Sequence, residues 1–246
     1  MLVSRIAEEL RLAYAPVAIL FTDEKPEGAH EYIEGRWGCV VAMLTAAAKG
    51  KTAVFSRKTC GCAGGMVGLG FGGFDEERGI EFFLSTGQGD GYPEGEGYRK
   101  TPALAKAFVD ELPVTDIPFT YVVFKPLSAV DPARESVQEV VFFANPDQLT
   151  ALLVLVNYHQ SRQDAAIIPF GAGCHSIGVI PYREAASEHP RAVVGLLDVS
   201  ARPFVPADII TFTVPFSLFQ TMEANVDGSF LEKKAWVKVR ERIEKG

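Results

Sequence analysis

The chain has 246 residues, of which 48% are hydrophobic and 22% are charged, and its formal net charge is −7. This composition is typical of a globular protein and excludes a disordered chain, which would have low hydrophobicity. The negative charge argues against nucleic acid and anionic membranes as partners, because binding to either depends on Lys and Arg. Residues 149–156, the longest apolar stretch near the middle, are far short of the ~20 residues of a membrane helix.

The four cysteines and the first residues of the chain bear on its location. Residues 1–21 do not match a secretory signal, because Glu8 and Glu9 precede the apolar run and Pro16 interrupts it. Four cysteines without such a signal are typical of a reducing compartment, where thiols serve metal or redox chemistry. We therefore predict a soluble, cytoplasmic protein.

The first part of the chain is predicted to alternate helices with short strands. Apolar residues three and four apart indicate a helix, and short apolar runs bounded by Pro or Gly indicate strands. The predicted helices are residues 3–14 and the alanine-rich residues 39–48, and the predicted strands are residues 17–21, 52–56 and 80–84.

The rest of the chain continues this pattern after a glycine-rich loop, residues 87–100. Thr101-Pro102 and Asn145-Pro146 are helix start signals, because each places a capping side chain before a proline in the first turn. The predicted helices are residues 101–112, residues 145–160 and a final one with Trp236, Val239 and Ile243 on one face. The predicted strands are residues 119–124, 139–143, 165–169, 192–199 and 209–214.

These elements predict an α+β (mixed α/β) fold, with a mixed sheet and flanking helices in a single domain, residues 1–246. The order helix, strand, cysteine-bearing glycine turn, strand occurs at residues 39–84 and again at 147–199. This order is compatible with a duplication with halves of about 1–115 and 116–246, which would bring the two glycine turns together near a twofold axis. Chance recurrence of short strands and glycine turns is the alternative explanation.

Cysteine thiolates are the natural ligands of iron-sulfur clusters and of zinc. The candidate metal ligands are Cys39, Cys60, Cys62 and Cys174. Cys39 is predicted at a helix N-terminus, where free amides and the helix dipole should lower the pKa of its thiol. A reactive thiol pair and inert packing of cysteines in the core are the alternatives.

Glycines next to these cysteines are candidate cofactor-binding positions, because a residue without a side chain lets the backbone approach a bound group. They are Gly64, Gly65 and Gly68. His175, beside Cys174, is a candidate fourth ligand or proton donor, or else a buried histidine with ordinary partners. Gly68, Gly70 and Gly73 also match G-x-G-x-x-G, but an acidic segment follows the motif, which disfavours a bound phosphate.

Two further regions are candidates for the site. Residues 87–100, which include Tyr98 and Arg99, are long enough to close over a site as a lid, or they form a solvated surface loop. Asp198 and Arg202, near the end of a predicted strand, are candidates for acid-base or anion contacts, or they form a salt bridge.

The chain resembles the prokaryotic family known as domain of unknown function 169 over nearly its whole length. The residues that carry the resemblance are Pro16-Val17-Ala18-Ile19, Cys39 with residues 46–50, Cys60-Gly61-Cys62-Ala63-Gly64-Gly65 with Gly68-Leu69-Gly70, and Phe124-Lys125-Pro126-Leu127. The resemblance implies one domain and, because many members come from anaerobes, it is compatible with an oxygen-sensitive metal centre. It assigns no catalytic residue.

We therefore predict a cysteine-ligated metalloprotein, with an iron-sulfur cluster favoured over zinc. Its role would be redox chemistry or chemistry on a small molecule, with a small-molecule ligand and a redox protein as partners. Whether it is an enzyme and how it oligomerises do not follow from the sequence. The alternatives are a metal-free protein that binds a small ligand in a glycine-rich pocket, and a structural or regulatory subunit.

Overall fold

A computed structural model describes residues 1–75, 79–88, 92–171 and 173–245. Part of the acidic segment after the glycine motif, part of the 87–100 loop and residue 172 of the second glycine turn lie outside these ranges. The strands are β1 Val17–Thr22, β2 Ala53–Ser56, β3 Tyr121–Pro126, β4 Glu139–Ala144, β5 Ala166–Ile167, β6 Ala192–Gly195 and β7 Ile210–Pro215. They form one seven-stranded sheet in the order β2-β3-β1-β4-β7-β6-β5.

The sheet is mixed, as predicted. Only β5 and β6 pair in parallel, and all other neighbouring strands are antiparallel. Side chains alternate along β1, so that Ala18 and Leu20 face one core while Val17, Ile19 and Phe21 face the other. Both faces of the sheet are therefore buried, which explains why β1 and β4 are apolar runs rather than alternating patterns.

Helices cover both faces of the sheet. They are α1 Arg5–Glu9, α2 Val40–Ala48, α3 Ala63–Gly68, α4 Ile80–Phe83, α5 Pro102–Glu111, α6 Pro146–Asn157, α7 Val179–Ala185, α8 Phe216–Ala224 and α9 Lys234–Glu244. Residues of α1, α6, α8 and α9 contribute to the first core, and residues of α2 pack into the second. The second face also carries α3, α7 and the short 3-10 helices Gly173–Ile177 and Val199–Phe204.

Helices with clear start signals are confirmed. The Thr101 hydroxyl accepts a hydrogen bond from the Leu104 amide, which starts α5. Asn145 and Gln148 form a reciprocal capping box at the start of α6. The alanine-rich helix and the C-terminal helix are also present, as α2 and α9, so the predicted α+β fold is correct in class and in most of its elements.

Several predicted elements are wrong. The apolar residues 80–84 are not a strand, because α4 occupies them as a single helical turn. The first helix ends at Glu9 rather than at residue 14, since Arg11 adopts a φ of 52° that no α-helix continues. The strand predicted at 165–169 is only the two-residue β5. Three further helices, α3, α7 and α8, were not predicted from the sequence.

The predicted halves of the chain interleave in the sheet. β3, from the proposed second half, lies between β1 and β2 of the first. The helices that a duplication would relate, α2 and α6, pack on opposite faces of the sheet. The duplication and the single-domain boundary stay predictions. Throughout the described ranges, every helix is too short or too polar to cross a lipid bilayer.

Candidate functional site

A cavity of about 520 Å³ lies on the second face of the sheet, at the start of α2. Three of the four cysteines line it although they come from distant parts of the chain: Cys39, Cys62 and Cys174. We call these three residues the thiol end of the cavity. The fold therefore brings together three of the four cysteines that the sequence singled out as ligands.

Backbone amides lie near two of these thiols, although neither thiol accepts a capping hydrogen bond. Cys39 is the N-cap of α2, as predicted, and the amides of Val41 and Ala42 stabilise its thiolate. Cys62 is the N-cap of α3, and the amides of Gly64 and Gly65 stabilise its thiolate. Amides that reach a sulfur in this way favour its charged form, and they also hydrogen-bond to metal-bound thiolates.

Burial nevertheless keeps these thiols protonated. It raises the pKa of Cys39 and of Cys62 above the ordinary value, and the amides only partly oppose this effect. It raises the pKa of Cys174 well above the ordinary value. The prediction of a lowered pKa at Cys39 is therefore wrong, because the loss of hydration at this half-buried residue outweighs the helix terminus.

Cys60 belongs to the same neighbourhood but not to the same cavity. Its side chain is buried and lines an adjacent cavity of about 360 Å³ together with Arg57 and Lys58. Burial raises the pKa of Cys60 to about 12. A negative charge on Cys62 would raise the pKa of Cys60 further. Charges on the other three cysteines would likewise raise the pKa of Cys174. The four sulfur atoms therefore lie within electrostatic range of one another.

The candidate glycines hold the backbone close to these cysteines. Gly64 and Gly65 line the cavity, and a Cβ on Gly65 would lie 3.1 Å from the Cys60 sulfur. A Cβ on Gly68 would lie 2.6 Å from the Cβ of Cys174. Contacts this short leave room only for glycine, so α3 and the 3-10 helix Gly173–Ile177 pack backbone against backbone.

The G-x-G-x-x-G motif does not have the structural context of a dinucleotide fingerprint. Gly68 is the last residue of α3, and Gly70 follows it with a φ of 82°. A pyrophosphate-binding motif instead opens a helix, whose N-terminus receives the phosphate. The glycines here end a helix and allow a tight turn, so nucleotide binding gains no support.

Acidic and imidazole groups lie beside the thiol end. Asp198 lines the cavity at the base of the 3-10 helix Val199–Phe204, and burial raises the pKa of its carboxyl group. His175 also lines the cavity, is fully buried, and its ring stacks 6.4 Å from Phe74. Arg202 instead donates hydrogen bonds to the carbonyls of Ile209 and Ala207 and holds the backbone.

The part of the 87–100 loop that the structure describes reaches the cavity. Tyr98 lines it, and its hydroxyl donates to the Ser200 hydroxyl at 2.9 Å and accepts from the Ser200 amide at 2.7 Å. The Arg99 guanidinium stacks over Phe108, 4.0 Å from the ring centroid. These contacts hold the loop against the second face of the sheet.

Aromatic residues make up much of the remaining lining, and the sequence analysis missed them. They are Phe74, Phe83, Phe108, Phe170 and Phe204, which we call the aromatic wall. They come from separate loops and helices, and no local pattern marks them as neighbours. The sequence shows that the chain has 17 phenylalanines, but it does not show which of them lie together.

Metal-ligand geometry is not preformed. Among the residues that the structure describes, no group of three or more His, Cys, Asp or Glu side chains is arranged to hold a metal ion. All four cysteines are free thiols. A metal would therefore require the thiol side chains to turn toward a common centre.

The fold and the cavity define a mixed α/β protein with a largely apolar pocket, lined by cysteines and aromatic residues, on one face of its sheet. The chain belongs to the family known as domain of unknown function 169, described as "Uncharacterised ArCR", whose model matches residues 5–225. No curated protein and no solved structure matches the chain significantly.

Proposed function

We propose that the protein holds an iron-sulfur cluster at the thiol end of the cavity and uses it in redox chemistry that involves a small molecule. The observation that carries this proposal is the convergence of Cys39, Cys62 and Cys174 on one cavity. Soft thiolates are the usual ligands of iron-sulfur clusters, and zinc is the alternative metal for the same donor set.

The surroundings of the thiols support a bound cluster. The amides of Val41 and Ala42 lower the pKa of Cys39, and those of Gly64 and Gly65 lower the pKa of Cys62, so these amides lie near the two sulfur atoms. Such amides hydrogen-bond to cluster ligands, and the apolar surroundings set the reduction potential. When bound, the cluster would supply one-electron chemistry. Asp198 lies close enough to hold a proton near the thiol end.

The raised pKa values of the thiols give the proposal a pH dependence. Because Cys39, Cys62 and Cys174 are protonated in the metal-free protein, metal binding must displace their protons. Cluster assembly is therefore expected to weaken as the pH falls. A reducing compartment such as the cytoplasm fits the four free thiols, and a redox protein is the partner that would exchange electrons with the cluster.

The test is the iron and sulfide content of protein purified without oxygen, beside its four Cys→Ser variants. We expect visible absorption and stoichiometric iron and sulfide in the wild type, and loss of both in the Cys39, Cys62 and Cys174 variants. Cys60→Ser is the matched control substitution. It should keep more iron than the other three, because Cys60 does not line the cavity.

A metal-free small-ligand protein is the second candidate. It is favoured by the lack of a preformed metal-binding group in the described ranges and by the aromatic lining of the cavity. Colourless protein from the same preparation, with all four thiols reacting after unfolding and no iron or zinc, would support this candidate and reject the cluster.

A further inference from the structure

The aromatic wall lies in the part of the cavity beyond the thiol end, together with aliphatic side chains such as Ile80, Leu84 and Leu112. Phe108 and Phe170 lie 5.8 Å apart between ring centroids, and Tyr98 meets Phe170 edge-on at 5.9 Å. Aromatic side chains bury large apolar areas and prefer other rings in tilted or edge-on contact. This part of the cavity therefore offers ring edges and faces rather than hydrogen-bonding groups.

The charges around the cavity disfavour an anion. Glu96 and Asp198 are the acidic residues in its lining, and no Lys or Arg of the described ranges lines it. The guanidinium of Arg99 is stacked on the rings of Phe108 and Phe170, at 4.0 and 4.9 Å from their centroids. An anionic ligand would lose its hydration here without gaining a cationic partner.

The size of the cavity suits a small organic molecule. Its volume of about 520 Å³ falls within the range of about 300–1,000 Å³ that is usual for small-molecule sites. Such sites are mostly apolar and carry a few polar groups at defined positions. Here Asp198 lies in electrostatic range of all three thiols, and His175 follows Cys174 in the chain, so the thiol end carries polar groups. Other polar side chains in the lining are Glu96, Tyr98 and Ser200.

We infer that the aromatic wall is a binding site for an uncharged aromatic molecule, held with one polar edge toward the thiol end. This inference names the class of small molecule in the proposed function and rests on that proposal only for the choice of cavity. The phenylalanines of the aromatic wall are not metal ligands, so we do not expect binding to require the cluster.

The test uses metal-free, reduced protein with chelator present and compares 2-naphthol with naphthalene-2-sulfonate by calorimetry. The two probes share one ring system and differ in charge. We expect 2-naphthol to bind at least about tenfold more tightly, because the sulfonate would be desolvated without a counter-charge. Absence of 2-naphthol binding, or equal affinity for both probes, would overturn the inference.

Two phenylalanines of equal exposure provide matched variants. Phe170 is 40% exposed and lines the cavity, whereas Phe119 is 39% exposed and lies outside it. Phe170→Ala should weaken 2-naphthol binding about fivefold or more, as expected for one lost ring contact, and Phe119→Ala should change it less than about twofold. Equal losses in both variants would contradict the assigned site. Thermal melting of both variants checks that each is folded.

Thiol protection locates the bound probe independently. Because Cys39 and Cys62 line the same cavity, saturating 2-naphthol should slow their alkylation in the wild type. Unchanged alkylation rates at saturation would place the probe elsewhere and reject the inference. All of these binding experiments use metal-free protein, so their results do not depend on whether the protein holds a cluster. The iron and sulfide measurements, in turn, do not depend on whether 2-naphthol binds.

Discussion

Cys60 illustrates how burial changes the chemistry of a single thiol. Its pKa rises from 9.0 to about 12 because the side chain loses water, while Cys39 remains partly exposed and nearby backbone amides partly oppose the rise of its pKa. The thiolate is the reactive form of cysteine. The two residues should therefore differ strongly in reactivity although they lie in one neighbourhood.

We predict that Cys60 is alkylated far more slowly than Cys39 in the folded, metal-free protein. At pH 8 the thiolate fraction of Cys60 is about a thousandfold below that of a cysteine with the ordinary pKa, because each unit by which the pKa rises lowers this fraction about tenfold. Iodoacetamide labelling followed by peptide mass spectrometry measures both rates. The same labelling in denaturant, where the four cysteines should react alike, is the control. Equal rates in the folded protein would contradict the burial argument.

The identity of the site residues was partly predictable at this scale. The sequence placed Cys39 correctly at a helix N-terminus and drew attention to Asp198 and to the glycines beside Cys62. The direction predicted for the pKa of Cys39 was wrong, because the burial that raises this pKa arises from tertiary packing, which the local sequence does not show. The aromatic wall was not predictable, since its rings become neighbours only through tertiary packing.

The packing of α3 against the 3-10 helix Gly173–Ile177 joins the two cysteine-bearing regions of the chain. It depends on Gly68, whose missing side chain lets α3 approach the backbone of Cys174 and His175. Gly73 belongs to the same glycine-rich run, but a Cβ there would meet the Val114 side chain at an ordinary 3.6 Å. The two glycines thus have different structural roles.

We predict that Gly68→Ala destabilises the protein by about 1–3 kcal/mol, the usual cost of inserting a methyl group into a filled space. Gly73→Ala, the control, should change the free energy of unfolding by less than about 0.5 kcal/mol. Urea unfolding measures both values. Gly68→Ala should also speed the alkylation of Cys174, and a variant with wild-type stability and labelling would show that the close approach is unimportant.

The accuracy of element prediction followed the strength of local signals. α5 and α6, each with a capping residue followed by proline, were predicted within a few residues. The apolar residues 80–84 were assigned to a strand, but a run this short has no periodicity that separates a strand from a helical turn. In the structure these residues form the helical turn α4, which packs against α5.

At the scale of the whole molecule, the sheet buries an acidic residue between its two helical layers. Glu139 on β4 is fully buried opposite Ile19, and neither carboxyl oxygen has a hydrogen-bond partner among the described residues. Burial raises its pKa well above the ordinary value of 4.5. Folding therefore keeps a proton on Glu139 that the unfolded chain releases above that value.

We predict that Glu139 makes the protein less stable as the pH rises. The stability that the protonated Glu139 contributes is fully present below pH 4.5. Above this pH, the free energy of unfolding of the wild type should fall relative to that of Glu139→Gln by about 1.4 kcal/mol for each pH unit, until the folded-state pKa is reached. Urea unfolding of both proteins at pH 5 and pH 7 measures the difference. Glu241→Gln, at an exposed position on α9, is the control. A parallel pH dependence of wild type and Glu139→Gln would contradict a neutral Glu139.

The thiol end and the acidic residue beside it come from both early and late parts of the chain. Cys39 and Cys62 leave the ribosome long before Cys174 and Asp198, which occupy the last third of the sequence. β7, which pairs with the central strand β4, is synthesised later still. During translation the first sulfurs therefore emerge into a nascent chain that has no pocket to shelter them, and any cofactor would have to be inserted after synthesis is nearly complete.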